Sequence, residues 1–521
     1  MKKILFSLTA LLFGIAVQAQ TSYEAVNAID TEIDGTARYI GMGGAMNALG
    51  ADISTMGVNP AGIGLYRSCD MMISFGSNST TNKTLFDGNT NRRFSPREMS
   101  FDNVGLVISD KYSNEGVLRF VNYGFNYRKL KDFGGNTYMQ GKLRGLSQTG
   151  VMAMQVYDNR NIGDDFFDSS SEYSFYNYNY YDNANYGWLS LMGSDARIID
   201  ATAFDNGYFY PSQSGDFYSN ESGSSGAYDF NISANFVDQV YFGATVTYTN
   251  VNYAYNSTYN EVLLTADGTE VIGDYTLNNW YKTKGYGWGI SLGTILRPIE
   301  SSSLRFGLGV TLPTYLHLTD YNSAIIKSNI DGSSYAMDTQ SNDAYGNDCY
   351  TEYTNRTPAR FNLSAGYTFE SGVALDAEWE ARNLATTQLF EGSGKENTII
   401  NNHTANYFGT QNTFRLGVEK MFLESFFARF GYNYTAGGFK ADAWKMIPIN
   451  SVQTNTDYKN FLNAHELSGG LGYRGDIFYA DLAVLYSNRN YDFFPFENRD
   501  LEATALQRTN VKAVATLGFR F

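Results

Sequence analysis

The chain has 521 residues, a formal net charge of −15, 51 glycines, 41 tyrosines and 36 phenylalanines, and only 17% of its residues are charged. Such acidity excludes nucleic acid as a partner, the aromatic content excludes disorder, and the glycine content excludes a helical bundle. Two cysteines are too few for a disulfide framework. His317, His403 and His465 stand apart with no second ligand at metal spacing, and no Ser or Asp beside them suggests a triad, so neither a cofactor nor an enzyme is expected.

At the start, Lys2 and Lys3 precede an apolar run from Ile4 to Val17, and Val17-Gln18-Ala19 ends in the small-x-small pattern of a cleavage site. Residues 1–19 read as a secretory signal peptide, the run being too short to span a bilayer. The mature chain is expected to begin at Gln20.

Residues 20–66 form the next unit, and within it Gly35–Tyr66 is unusually rich in glycine. Glycine permits close backbone approach, so this stretch reads as a compact plug. The bland alternative is an ordinary glycine-rich loop. Its Asn59-Pro60-Ala61-Gly62 turn is specified chemically: Asn bonds its own backbone, Pro fixes φ and Gly relieves crowding.

From residue 67 to 521 the period changes to two. In Arg360–Phe369, Phe361, Leu363, Ala365, Tyr367 and Phe369 alternate with polar or small residues, and Val373–Arg382 and Leu304–Leu312 repeat the pattern. Fourteen such segments follow one another, from Met71–Ser77 to Thr509–Phe521. Their connections alternate between short ones, such as Val237–Gln239 and Arg474–Asp476, and long ones, such as Asn78–Ser100 and Asn256–Lys284, the longest being 130–227. That alternation predicts an all-β, 14-stranded antiparallel transmembrane barrel with an N-terminal hatch in its lumen. The last strand ends on Phe519 and Phe521, which resembles the signal read by bacterial barrel-assembly machinery. Cys69 is expected at the short-turn rim and Cys349 in a loop at the opposite end, too far apart to bond.

Here the chain resembles a known family. Gly41–Gly64, with Asp52-Ile53-Ser54-Thr55 and then Asn59-Pro60-Ala61-Gly62 directly before the first strand, is similar to the hatch of the FadL outer-membrane transporters of fatty acids and other hydrophobic compounds. The resemblance implies capture of a hydrophobic small molecule by loops and its lateral release into outer-membrane lipid through a kinked third strand near the Asn-Pro-Ala turn. It makes Asn59, Pro60 and Ala61, with Gly62, the gating residues, and it places the protein in the bacterial outer membrane. One departure is that the longest connection lies between the third and fourth strands. The apolar runs there, Val151–Val156 and Trp188-Leu189-Ser190-Leu191-Met192, are candidates for ligand capture, with Trp188, Leu189, Leu191 and Met192 foremost, or for capping the mouth. Two alternatives remain: a general diffusion porin for polar solutes, and a structural or adhesive surface protein using Tyr-rich loops such as Tyr173–Tyr181.

Overall fold

A computed structural model describes residues 20–158, 187–199, 209–339 and 349–521; the signal-peptide stretch and Tyr173–Tyr181 lie outside the described residues. Among the described residues, nineteen strand segments form one closed antiparallel sheet. The first seven are β1 (Asp70–Phe86), β2 (Asn89–Lys111), β3 (Leu118–Asp132), β4 (Gly135–Lys142), β5 (Ser212–Phe236), β6 (Val240–Leu264) and β7 (Val271–Leu296). Then come β8 (Arg305–Thr311), β9 (Tyr315–Ile330), β10 (Ser333–Asp338), β11 (Cys349–Arg356), β12 (Arg360–Thr368), β13 (Val373–Asn383) and β14 (Gln388–Glu391). The last five are β15 (Thr410–Phe422), β16 (Phe426–Ala436), β17 (Tyr458–Arg474), β18 (Phe478–Phe494) and β19 (Thr504–Arg520).

Four staves of the barrel are each made of two segments, β3 with β4, β8 with β9, β11 with β12 and β13 with β14, and β10 is a hairpin extension of β9. The wall therefore has fourteen staves, the expected number. Pro313 and Pro358 explain two of the breaks, because proline cannot donate to a ladder. The breaks lie side by side, and Thr357 N donates to Thr314 O at 2.9 Å across them. β19 closes on β1 from Asp70↔Arg520 to Leu85↔Ala505, and Phe521 and Cys69 exchange backbone hydrogen bonds of 3.1 Å at the rim.

The faces alternate as the period requires. Phe361, Leu363, Trp379, Phe414, Leu416, Phe430, Leu482 and Leu517 point outward and are exposed, while Asn362, Asp376, Glu378, Asn433, Asp481 and Thr516 point inward and are buried. An apolar outer belt over a polar interior is what a bilayer demands of a barrel. No described helix is long and apolar enough to cross a membrane; the strands do the crossing.

Two expectations need correction. Asn78–Ser100 and Asn256–Lys284 are not loops but the tall ends of β1–β2 and β6–β7, joined by tight turns. At about 3.3 Å per residue, the 26 residues of β7 reach roughly 80 Å, far beyond the 9–11 residues a bilayer needs. Above the bilayer the outward face meets water, so Asn, Ser and Thr occupy both faces and the apolar period disappears while the ladder continues. Cys349 likewise begins β11 at the long-loop end, instead of lying in a loop; Cys69 sits at the opposite rim as expected.

Candidate functional site

Gly35–Tyr66 fills the lumen at the short-turn end. Helix α2 (Ala37–Gly41), counted after α1 (Ser22–Asn27), starts at Thr36, whose side chain caps Tyr39 N. Short 3-10 helices at Ile53–Gly57 and Pro60–Leu65 start at Asp52 and Asn59. All four caps, counting Thr21 of α1, are Thr, Asp or Asn accepting a backbone N–H, the chemistry preferred at helix starts.

Two wall carboxylates hold the hatch. Met46 N and Asn47 N donate to Glu378 Oε1, both at 2.7 Å, and Asn47 Nδ2 donates to Oε2 at 2.6 Å. Ala48 N and Leu49 N donate to Asp376 Oδ2 at 3.1 and 2.9 Å. Arg38 forks onto Glu419 at 3.0 and 2.9 Å, and Arg429 ties Glu419 to Asp481 at 2.6 Å each. The inward charges on β13, β15, β16 and β18 thus bind the hatch and one another. Charged hydrogen bonds of this kind are the strong ones.

Where backbone meets backbone the wall has glycine. A Cβ on Gly431 would lie 2.1 Å from Gly43 N, and one on Gly243 would lie 2.4 Å from the Pro60 carbonyl carbon. These inward glycines were a signal open to sequence reading: glycine at the polar positions of a strand marks close approach of another backbone.

Asn59 is fully buried. Its Nδ2 donates to Asn47 O at 2.9 Å and Thr294 O at 3.3 Å, and its Oδ1 accepts from Ala61 N at 3.3 Å. Pro60 O accepts from Ser233 Oγ at 2.8 Å, and Gly62 packs on Thr55. The four turn residues therefore come together, braced on β5, β6 and β7, and the 3-10 helix they open reaches the third stave, where Asn122 Nδ2 donates to Ile63 O at 2.7 Å. Asn59→Ala removes two donated bonds and one accepted bond, each worth about 1 kcal/mol. The expected result is faster amide exchange at residues 59–62 and reduced ligand uptake, with no new ion conductance.

The third stave does bend. β2 and β3 pair only from Asn103↔Arg128 to Lys111↔Phe120. Beyond that, residues 89–102 of β2 have no ladder partner on that edge among the described residues, and β3 bulges at Lys129/Lys131. β4 leans inside β1, where Asn82 Nδ2 and Thr84 Oγ1 donate to Asn136 O and Tyr138 O at 2.9 and 2.5 Å. A seam opens in the wall. The hatch parts nearest its foot are Ile53 against Gly105, Met56 against Gly124 and Gly57 against Arg128.

Side chains from three staves and the hatch meet across the seam. Lys129 Nζ on β3 lies 2.9 Å from Asp102 on β2 and 2.7 Å from Ser100 Oγ. Lys512 of β19 lies 3.2 Å from Asp102 and 2.6 Å from Asp34. This ionic latch escaped sequence reading because its members are scattered along the chain. Burial, reinforced by Asp102 and opposed by Lys512 and Lys129, pushes the Asp34 carboxyl up to about 6. Between about pH 6 and 4 the folded chain therefore holds a proton that the unfolded chain lacks. By linkage this group adds stability as pH falls through that window, while its charge on Lys512 is lost. The free energy of amide opening at residues 30–36 is therefore expected to rise between pH 7 and 5, and Asp34→Asn is expected to abolish that pH dependence.

Above the hatch lies a cavity of ≈ 200 Å³ that reaches Arg128–Leu130 at the seam and is lined by Asp34, Tyr39, Val58, Arg360 and Glu380 among others. A second, of ≈ 130 Å³, continues toward the long-loop end and is walled by rings, including Tyr23, Phe133, Tyr253, Tyr281 and Phe439. The two share Asp30, Arg382, Gln411 and Phe461. Residues 20–34 run down this interior, with Asp30 paired to Lys131, Arg382 and Arg489 at 2.8, 3.3 and 3.2 Å.

The long-loop end is capped. Helices α3 (Thr149–Asp158) and α4 (Trp188–Asp195) pack over the mouth. Trp188, Leu189, Leu191 and Met192 are buried there among Met152, Phe217, Tyr275 and Ile326. They line neither of these two cavities. Ser147 Oγ and Gln148 N anchor the cap to Glu261 at 2.5 and 2.8 Å.

No family model and no curated protein sequence matches the chain. Solved structures do match. A Pseudomonas aeruginosa FadL homologue is 10% identical and superposes with a TM-score of 0.50, over 94% of this chain and 99% of that one. The Pseudomonas putida toluene transporter TodX and the Ralstonia pickettii toluene transporter TbuX are 11% and 14% identical, with TM-scores of 0.47 and 0.45. Each covers 94% of this chain, which covers 99% and 98% of theirs. At such identities the first likeness is one of fold: the chain has the fold of a FadL homologue.

Proposed function

We propose that the protein is a passive outer-membrane transporter of the FadL type, taking up hydrophobic small molecules such as fatty acids. Residues 1–19 direct export and are removed after Ala19, Phe519 and Phe521 address the chain to the barrel-assembly machinery, residues 20–66 serve as strap and hatch, and 67–521 form the barrel. Capture occurs at the long-loop end, where Trp188, Leu189, Leu191 and Met192 offer an apolar surface once the cap lifts. Release is lateral, into lipid.

The observation that carries this reading is the seam. An aqueous pore runs along the barrel axis, and here the axis is filled by the hatch at one end and the cap at the other, while the cavity between them reaches the wall where β2 and β3 part. Asn59, Pro60, Ala61 and Gly62 act in gating by holding the hatch to β5–β7, so that movement of the hatch is transmitted to Ile53–Gly57 at the foot of the seam. The charged lining of the lower cavity favours the rival porin reading. Mass spectrometry of material extracted from the detergent-purified protein distinguishes the two. An apolar or amphipathic molecule bound near one per barrel is expected; an empty barrel that passes sugars freely would support the porin.

A further inference from the structure

The strap begins among buried charges. At the head of α1, Thr21 N donates to Glu24 Oε2 at 3.1 Å, and Glu24 pairs with Lys445 at 2.8 Å. The Gln20 side chain lies beside Asp320 of β9, with its own Nε2 closing no hydrogen bond. Asp320 is 2% exposed. Its partners are hydroxyls, Thr283 Oγ1 at 2.6 Å and Tyr353 OH at 3.3 Å. Among the described residues no Lys or Arg reaches it.

The neighbouring carboxylates are better provided. Glu221 takes Lys459 at 2.6 Å and Arg508 at 3.3 Å, and Asp457 takes the Tyr255 hydroxyl at 2.6 Å while Lys445 donates to its backbone carbonyl at 3.3 Å. Asp320 alone of these has only hydroxyls, and a buried carboxylate without a counter-ion is costly.

We propose that the counter-ion of Asp320 is the α-ammonium of Gln20, made when the leader is removed. The inference rests on the reading of residues 1–19 as a signal peptide and not on any transported ligand. A signal peptidase hydrolyses the Ala19–Gln20 bond: water breaks the C–N bond, Ala19 departs as a carboxylate, and the freed amine takes up a proton. Before cleavage that nitrogen is a neutral amide. Consecutive backbone nitrogens lie at most about 3.7 Å apart, so the new ammonium arises within about 7 Å of the Glu24 carboxylate and next to the side chain that touches Asp320. Maturation thereby gives Asp320 a cation and seats α1, the top of the strap that descends through Asp30 to the latch at Asp34.

The test uses the full-length protein, exported with its own leader and purified from membranes. Intact mass reports where the chain starts and whether Gln20 has cyclised with loss of ammonia. Acetylation with an N-hydroxysuccinimide ester at pH 7 then reads the α-amine, which ordinarily has a pKa of about 8 and reacts readily. The expected result is a chain starting at Gln20 with a free amine that is labelled at least tenfold more slowly than in the heat-unfolded protein. Asp320→Asn should lose that protection and Asp320→Glu should keep it. A chain starting elsewhere, a cyclised Gln20, or an amine that reacts equally fast folded and unfolded would overturn the proposal. So would equal protection in Asp320→Asn. If that variant does not assemble, the native protein and Asp320→Glu decide, since loss of protection in either counts against the pair.

Discussion

Deleting Gly35–Tyr66 is expected to turn a barrel of little conductance into one that shows large conductance steps in planar bilayers each time the cap at the long-loop end lifts. The wall does not depend on the hatch for its ladder, because at the short-turn end each stave pairs with both neighbours and β19 closes on β1. The interior does depend on it: the hatch occupies the short-turn end, touching Gly243 and Gly431 at backbone distance. A barrel of fourteen staves is wide enough to leave a channel when nothing fills it. Native protein that already conducts like an open porin, with the deletion making no difference, would transfer the reading to the porin.

Replacing both Asp376 and Glu378 by alanine should release the hatch while leaving the wall intact. Four consecutive backbone N–H groups, Met46 to Leu49, and the Asn47 amide would lose their acceptors together. A buried donor left unpaired costs about 1–3 kcal/mol, so the summed loss is several kcal/mol, more than the turn at Asn59 can restore. Hydrogen exchange at residues 46–49 should rise by orders of magnitude, with heat-modifiable migration of the folded barrel retained. Asp376→Asn, which keeps an acceptor oxygen, should be milder. Unchanged protection at residues 46–49 in the double variant would mean that the hatch is held elsewhere.

The fourteen staves were legible because alternation is a local property: Phe361, Leu363 and Trp379 announce the outward face without knowledge of their neighbours. The Asn59 turn was legible for the same reason, since its hydrogen bond to Ala61 N spans two residues. What failed was long-range or exposed. Strand β1 continues past Ser77 through Asn78, Ser79, Thr80 and Thr81, where water on the outside removes the apolar half of the pattern. The latch unites Asp34, Asp102, Lys129 and Lys512, and no spacing links residues so far apart in sequence. The resemblance placed the Asn-Pro-Ala turn near the third stave, where Asn122 does hold Ile63 O one residue beyond it, but it did not supply the turn's direct partners, Ser233, Gly243 and Thr294 on β5, β6 and β7. Apolar runs at Val151–Val156 and Trp188–Met192 were readable as runs. Whether they faced a ligand or covered a mouth depended on Phe217, Tyr275 and Ile326, residues of other strands.

The central claim is that hydrophobic molecules cross this barrel and leave through its wall while polar solutes do not pass along its axis. Its most direct test reconstitutes the native protein in liposomes and compares uptake of a radiolabelled long-chain fatty acid with swelling in a small neutral sugar. The account predicts accelerated, saturable fatty-acid uptake that Asn59→Ala diminishes, and no sugar-driven swelling. Rapid swelling in the sugar with no acceleration of the fatty acid would contradict it.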